Sequence, residues 1–117
     1  MRYMFLIYGD EAAIAAASVE ESERSLAKNM AVLQEASEKE VLISVGALHP
    51  TNDSTTIRMK DESVITTDGP FAETKEQLGG YYILECRDLD EAIAWAAKMP
   101  ACAGGCVEIR PMIEMPA

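Results

Sequence analysis

Residues Tyr3 to Tyr8 carry apolar side chains on both alternating faces, with Tyr3, Phe5 and Ile7 on one and Met4, Leu6 and Tyr8 on the other. A strand patterned this way is stable only where both faces are covered. Tyr81-Tyr82-Ile83-Leu84 has the same property within a strand expected from Gly79 to Cys86. A fold for this chain must therefore hide two sides of a sheet, and that requirement excludes most small architectures.

The remaining elements follow from local signals. Ser18-Val19-Glu20-Glu21 is a capping box, in which the Ser hydroxyl and the Glu carboxylate satisfy free amides. It predicts a long helix to about Val41, with an apolar stripe of Val19, Leu26, Met30, Leu33 and Ala36 and with Ala27 beside it. Residues 11–17 read either as a short helical turn or as a mobile loop. Leu42 to His49 reads as a strand, and Thr55–Lys60 with Ser63–Thr67 as a hairpin turning at Asp61-Glu62. Asp88 caps a second helix with Leu89, Ala92, Ile93 and Ala96 inward, and Pro100 stops it. Val107 to Met112 is the last strand.

This order is β-α-β, a hairpin insertion, then β-α-β. It predicts an α+β, ferredoxin-like βαββαβ sandwich as one domain over residues 1–117. Helices on one face leave the other bare, and an apolar face of that size marks an association surface. The expectation is a homodimer with sheets packed face to face. A monomeric two-layer sandwich is the alternative.

Hydrophobic residues make up 49% of the 117, enough for a real core. No apolar run approaches the ~18 residues of a membrane span, and Gly9-Asp10-Glu11 stands where a secretory signal would be cleaved. The expected location is the cytoplasm. Net charge is −10 and the ten Lys and Arg are scattered, so direct nucleic-acid binding and acidic lipid surfaces are disfavoured. Three cysteines, Cys86, Cys102 and Cys106, argue against a disulfide framework. Cys102 and Cys106 lack the further ligands a metal site needs and read as small buried or half-buried thiols.

The densest stretch chemically is Asp68 through Tyr82. Pro70 fixes φ and stiffens the backbone that aims Phe71. Asp68 can accept from amides two residues on. Glu73, Thr74, Lys75 and Glu76 supply donors and acceptors in one helical turn, and Gly79-Gly80 permits close backbone approach. Two readings stand side by side. Asp68 caps its own turn while Phe71 plugs the core; or the loop lines a pocket under the first helix, with Asp68 facing a ligand and Phe71 as wall. His49, the only histidine, is either a surface polar residue or a proton-transfer group. Arg58 is either an exposed strand residue or an anion clamp. Tyr8-Gly9-Asp10-Glu11 closes the first strand near the same end. Ser22 and Ser25 lack a nucleophile motif.

The chain resembles the YCII-related family, in the branch named for its Asp-Gly-Pro-Phe motif. The resemblance rests on Met1-Arg2-Tyr3-Met4 with Tyr8-Gly9-Asp10, Gly46-Ala47-Leu48, Thr55–Arg58, Thr67 through Tyr82, Asp88 through Ala97, and Val107–Pro111. It implies a ferredoxin-like fold and a dimeric α+β barrel. Most members of this branch have no established activity. Some distant relatives are small lyases or dehalogenating enzymes with a His–Asp pair whose His lies on the first helix. Ser18 to Val41 contains no His here, so that pair does not carry over; Asp68 does, as a polar pocket residue. Relatives are often encoded near extracytoplasmic-function sigma factors, which implies a link to stress regulation.

Together these readings predict a small-molecule-binding dimer, either a lyase-type or dehalogenating enzyme or a ligand sensor. Asp68 and His49 are the candidate catalytic residues. Tyr8, Arg58, Phe71, Glu73, Lys75 and Tyr82 are the candidate ligand-binding residues. No metal or nucleotide cofactor is implied. The alternative is a non-enzymatic interaction protein acting on a transcription regulator through the acidic face of the first helix.

Overall fold

The computed structural model describes residues 1–116; Ala117, the last residue of the expected domain, lies outside the described residues. The chain runs β1 (Arg2–Gly9), α1 (Glu11–Ala16), α2 (Val19–Glu38), β2 (Leu42–Ala47), β3 (Thr55–Lys60), β4 (Ser63–Asp68), β5 (Gln77–Glu85), α3 (Leu89–Ala96), α4 (Ala101–Gly104) and β6 (Cys106–Pro111). β2, β5, β1 and β6 form one antiparallel sheet in that order. β3 and β4 form a separate two-stranded arm.

Helix positions follow from capping. Asp10 accepts from the Ala12 and Ala13 amides at 3.0 and 3.3 Å, and the alanine-rich stretch behind it becomes α1. The open alternative for residues 11–17 thus resolves as a helix ended by extended Ala17. Ser18 Oγ then accepts from the Glu21 amide at 3.1 Å and starts α2. At the far end Glu40 takes a left-handed φ of 59°, and Val41 N–H donates to the Ala36 carbonyl. Asp88 starts α3 by accepting from Glu91 N–H at 2.9 Å.

The core is one layer between helices and sheet. Tyr3 and Phe5 of β1 and Tyr82 and Leu84 of β5 meet Val32 and Ala36 of α2, Ala92, Trp95 and Ala96 of α3, and Met99. Ile7, Leu33, Leu42, Val107 and Ile109 pack around them. Two inward faces differ from expectation. α2 buries Val32 and Ala36, while Leu26 and Met30 stay 62% and 56% exposed. Of the expected stripe, Ala36 is buried and Leu33 packs against the core, whereas Val19, Leu26 and Met30 lie roughly a third of a turn away from the sheet. α3 buries Ala92 and Ala96 as expected, adds Trp95 to that face, and leaves Leu89 and Ile93 about half exposed.

The opposite face of the sheet carries Met4, Leu6, Tyr8, Tyr81 and Ile83, all half-buried, and none joins the core. Tyr81 lies across Gly46 so closely that a Cβ there would sit 2.5 Å from the ring. The arm extends the molecule to 48 × 45 × 19 Å, and the radius of gyration is 16.2 Å. A compact chain of this length has roughly 13 Å. Along the arm, alternation puts Ile57, Met59 and Val64 on one side, and all three are exposed. Its turn uses Asp61 and Glu62 at φ 50° and 65°.

Candidate functional site

A cavity of about 500 Å³ opens where β1 ends and β6 begins. One wall is Ile7, Tyr8 and Gly9 of β1 with Gln77 and Gly79 of β5. α1 contributes Glu11, Ala13 and Ile14; Pro100, Ala101, Gly104 and Gly105 form another side. The remaining wall is the first half of α2, which presents Glu21, Ser22, Ser25 and Asn29. This volume falls within the range of small-molecule sites.

The rotation of α2 builds this site. Ser22, Ser25 and Asn29 recur at three- and four-residue spacing, so they share one helix face. That face continues into buried Val32 and Ala36. Polar side chains therefore look into the cavity, and the apolar Val19, Leu26 and Met30 look outward. Tyr82 holds the arrangement from below: its hydroxyl donates to Asn29 Oδ1 at 3.1 Å. Burial raises the Tyr82 pKa, which keeps that hydroxyl a donor. With its oxygen engaged, Asn29 has its amide nitrogen left to donate.

Glu11 ties the cavity to the arm. Its carboxylate accepts from Thr51 N–H and Oγ1–H at 2.8 and 2.9 Å, and its own N–H donates to Gln77 Oε1 at 3.2 Å. Thr51 begins a single 3-10 turn just before β3, and Gln77 follows the loop after β4. One residue of α1 thus grips both roots of the arm.

Of the residues marked in the sequence, Tyr8 borders the cavity at the end of β1 with its side chain on the far face, and Tyr82 reaches the cavity edge through Asn29. The Tyr8 hydroxyl donates to Glu108 at 3.1 Å on the far side of the sheet; its pKa is raised by burial and by that carboxylate. Asp68 ends β4 opposite Thr55, and Arg58 stands on the other side of the arm. His49 is 87% exposed, with Nδ1 3.2 Å from Asp53 rather than from Asp68. Phe71 is 79% exposed, so it neither plugs the core nor lines the cavity in the single chain. Glu73 and Lys75 are exposed on the loop, which bends without forming the expected helical turn. Gly69 adopts φ 97° and its N–H donates to the Ser54 carbonyl at 2.7 Å, so the corner is built around a glycine-only conformation. Cys86 is buried while Cys102 and Cys106 are exposed, which corrects the expectation that the latter pair is covered. A hydrogen bond to Glu76 raises the Cys106 pKa.

Sequence reasoning missed Ser22, Ser25 and Asn29 as a group. The signal was present: polar residues recur on the face that later buries Val32 and Ala36. The stronger apolar stripe beside it masked that pattern.

The fold and the site define an α+β protein with an antiparallel sheet, helices on one face, and a cavity kept open at one end of the layer between them. The chain belongs to the family of YCII-related domains, whose sequence model matches residues 1–116. It is 40% identical over 114 residues to a protein of Rhizobium meliloti (strain 1021) described as uncharacterized, an alignment that covers 96% of this chain and 92% of that one. Among the described residues no helix is long and apolar enough to cross a membrane.

Proposed function

We propose that the protein is a small-molecule-binding homodimer with a ferredoxin-like fold, whose binding site is the cavity between α1, α2 and the end of the sheet. The observation that carries this reading is the inward turn of Ser22, Ser25 and Asn29. A helix that leaves Leu26 and Met30 in solvent while keeping hydroxyls and an amide over a cavity forgoes core burial. Binding of a ligand is a reason to retain such an arrangement. The same site serves a lyase-type or dehalogenating enzyme or a ligand sensor, since both need a shaped cleft with oriented donors.

Pairing of two copies is supported by surface area. The chain exposes 8531 Å², whereas a 12.7 kDa monomer ordinarily exposes roughly 6,200 Å². The surplus exceeds the roughly 800 Å² that each partner loses in a standard interface. Face-to-face packing would cover Met4, Leu6, Tyr81 and Ile83 and form the dimeric α+β barrel. In such a pair the arm of one copy is free to reach the other. The roles proposed for Asp68, His49, Arg58, Phe71, Glu73 and Lys75 would then be exercised across the subunit boundary.

A thermal-shift screen of hydroxylated aromatics, small amines and small acids tests the cavity. Stabilisation by a member of the panel that disappears in Ala17→Trp, which fills the space, is the expected result. A panel without any stabiliser, or stabilisation indifferent to that change, refutes the site. Loss of the shift in Asp68→Ala would place Asp68 at the ligand. Sedimentation equilibrium at micromolar concentration tests the pair, and a stable monomer rejects it.

A second reading is favoured by one observation: the stripe of Val19, Leu26 and Met30 is exposed on a helix that is otherwise acidic. Such a stripe fits an interaction protein that docks on a transcription regulator. Charged substitutions at Leu26 and Met30 would then abolish regulator capture and leave small-molecule binding unchanged.

A further inference from the structure

The charge on the cavity wall is one-sided. Among the described residues Asp10, Glu11 and Glu21 line it, together with no Lys, Arg or His. Among the described residues none of the three carboxylates enters an ion pair. Asp10 is engaged with the α1 amides and Glu11 with Thr51, which are neutral donors, so both charges stay uncompensated. Glu21 is bonded through its backbone to Ser18, and its side chain is exposed at the start of α2. The positive end of the α2 dipole would favour an anion, but Glu20 and Glu21 already occupy that first turn.

These carboxylates are not arranged for a metal ion. Among the described residues no group of three His, Cys, Asp or Glu is placed to hold one. Dispersed negative charge, apolar walls at Ile7 and Ile14, and a neutral donor at Asn29 fit an organic cation better than an inorganic one.

Building on the cavity reading above, we propose that the ligand is a small primary amine. Its ammonium lies toward the Glu21 edge, its apolar body against Ile7 and Ile14, and an acceptor oxygen, where it has one, on the Asn29 amide. An anionic ligand would enter against three like charges at a site without a cation to receive it.

Phenethylamine, 2-phenylethanol and 3-phenylpropionate are compact aromatics that differ chiefly in the end group. They are titrated calorimetrically onto the full chain at low ionic strength. The amine is expected to bind tightest and the carboxylate weakest, with roughly a tenfold span from three uncompensated charges. Glu21→Gln is expected to lower amine affinity several-fold toward that of the alcohol and to change alcohol affinity much less. Ala17→Trp is expected to abolish binding of all three. Carboxylate binding as tight as amine binding overturns the amine assignment and leaves the cavity reading standing. Absence of binding by all three overturns both. Amine binding that survives Ala17→Trp marks general attraction to an acidic surface and overturns the assignment as well.

Discussion

Gly104 and Gly105 are neighbours in the chain and should respond differently to the same substitution. A Cβ on Gly105 would stand 2.1 Å from the Tyr8 carbonyl oxygen and 3.0 Å from Gly9 Cα. Both are backbone atoms at the end of β1, which is hydrogen-bonded on both sides in the sheet. No rotamer change relieves that contact, so either β6 or the cavity wall must move. Overpacking of this kind costs about 1–3 kcal/mol. A Cβ on Gly104 meets nothing within 4 Å among the described residues, and Gly104 closes α4. Gly104→Ala should therefore be neutral or stabilise by up to about 1 kcal/mol, through the lost freedom of the unfolded chain. Urea unfolding followed by the fluorescence of Trp95, the only tryptophan, reads both. Gly105→Ala should lower the midpoint with the slope unchanged. A Gly105→Ala midpoint equal to wild type, or one matching Gly104→Ala, would refute the packing argument.

Three further outcomes are expected. Glu35 accepts from Lys98 at 2.9 and 2.7 Å and from Lys39 at 2.9 Å, and these bonds, Lys98 first, hold its pKa below the ordinary 4.5. A depressed carboxylate contributes stability above its unfolded pKa and loses it as pH falls through the folded one. Glu35→Gln should thus lower the melting temperature at pH 7 and converge on wild type below the carboxylate range; a gap that persists undiminished in acid contradicts this. Glu40→Gly should stabilise by about 0.5–1 kcal/mol, because a left-handed φ of 59° suits glycine; a loss of stability in urea would show that the Glu40 side chain matters more than its backbone. Tyr82→Phe should cost about 0.5–1.5 kcal/mol for the hydrogen bond to Asn29, and should weaken ligand binding beyond that; unchanged affinity would show that Asn29 needs no anchor.

Capping and alternation were legible residue by residue. Ser18, Asp88 and the period of β1 and β5 placed their elements within a few positions, because each signal is satisfied locally. Rotation of the helices was not legible. Of the stripe of Val19, Leu26, Met30, Leu33 and Ala36, only Leu33 and Ala36 reach the core, where Val32 joins them, and the first three stay in solvent. Beneath the first half of α2 lies a cavity, so its larger side chains find no layer to enter. α3 repeats the lesson with Trp95, whose ring lies 4.8 Å from Lys98 Nζ and 5.6 Å from Lys39 Nζ once turned inward. The Asp-Gly-Pro-Phe corner, expected to line the pocket, stands at one root of the arm and contributes no residue to the cavity wall among the described residues. Asp68 and Phe71 sit where long-range geometry decides their surroundings, and no spacing rule encodes that.

Glu11 is where the cavity and the arm meet, and its removal separates two views of the arm. If β3 and β4 are held only by their own ladder, the root at Thr51 is indifferent to α1. If the Glu11 carboxylate fixes the root, Glu11→Ala frees the Thr51 amide and hydroxyl together. Both acceptors are parts of one partly exposed charged group, so the loss should fall near the low end for charge-assisted bonds, about 1–2 kcal/mol. The ladder from Thr55–Asp68 to Lys60–Ser63 makes no contact with Glu11 through these bonds and should keep its register. Hydrogen exchange resolves the two views. In Glu11→Ala the Thr51 amide should lose protection, while Ile57 and Arg58 change far less. Glu11→Gln should restore part of it, since an amide oxygen still accepts but without the charge. Thr51 protection that is the same in wild type and Glu11→Ala would mean that α1 does not anchor the arm, and the physical link between ligand site and arm would be lost.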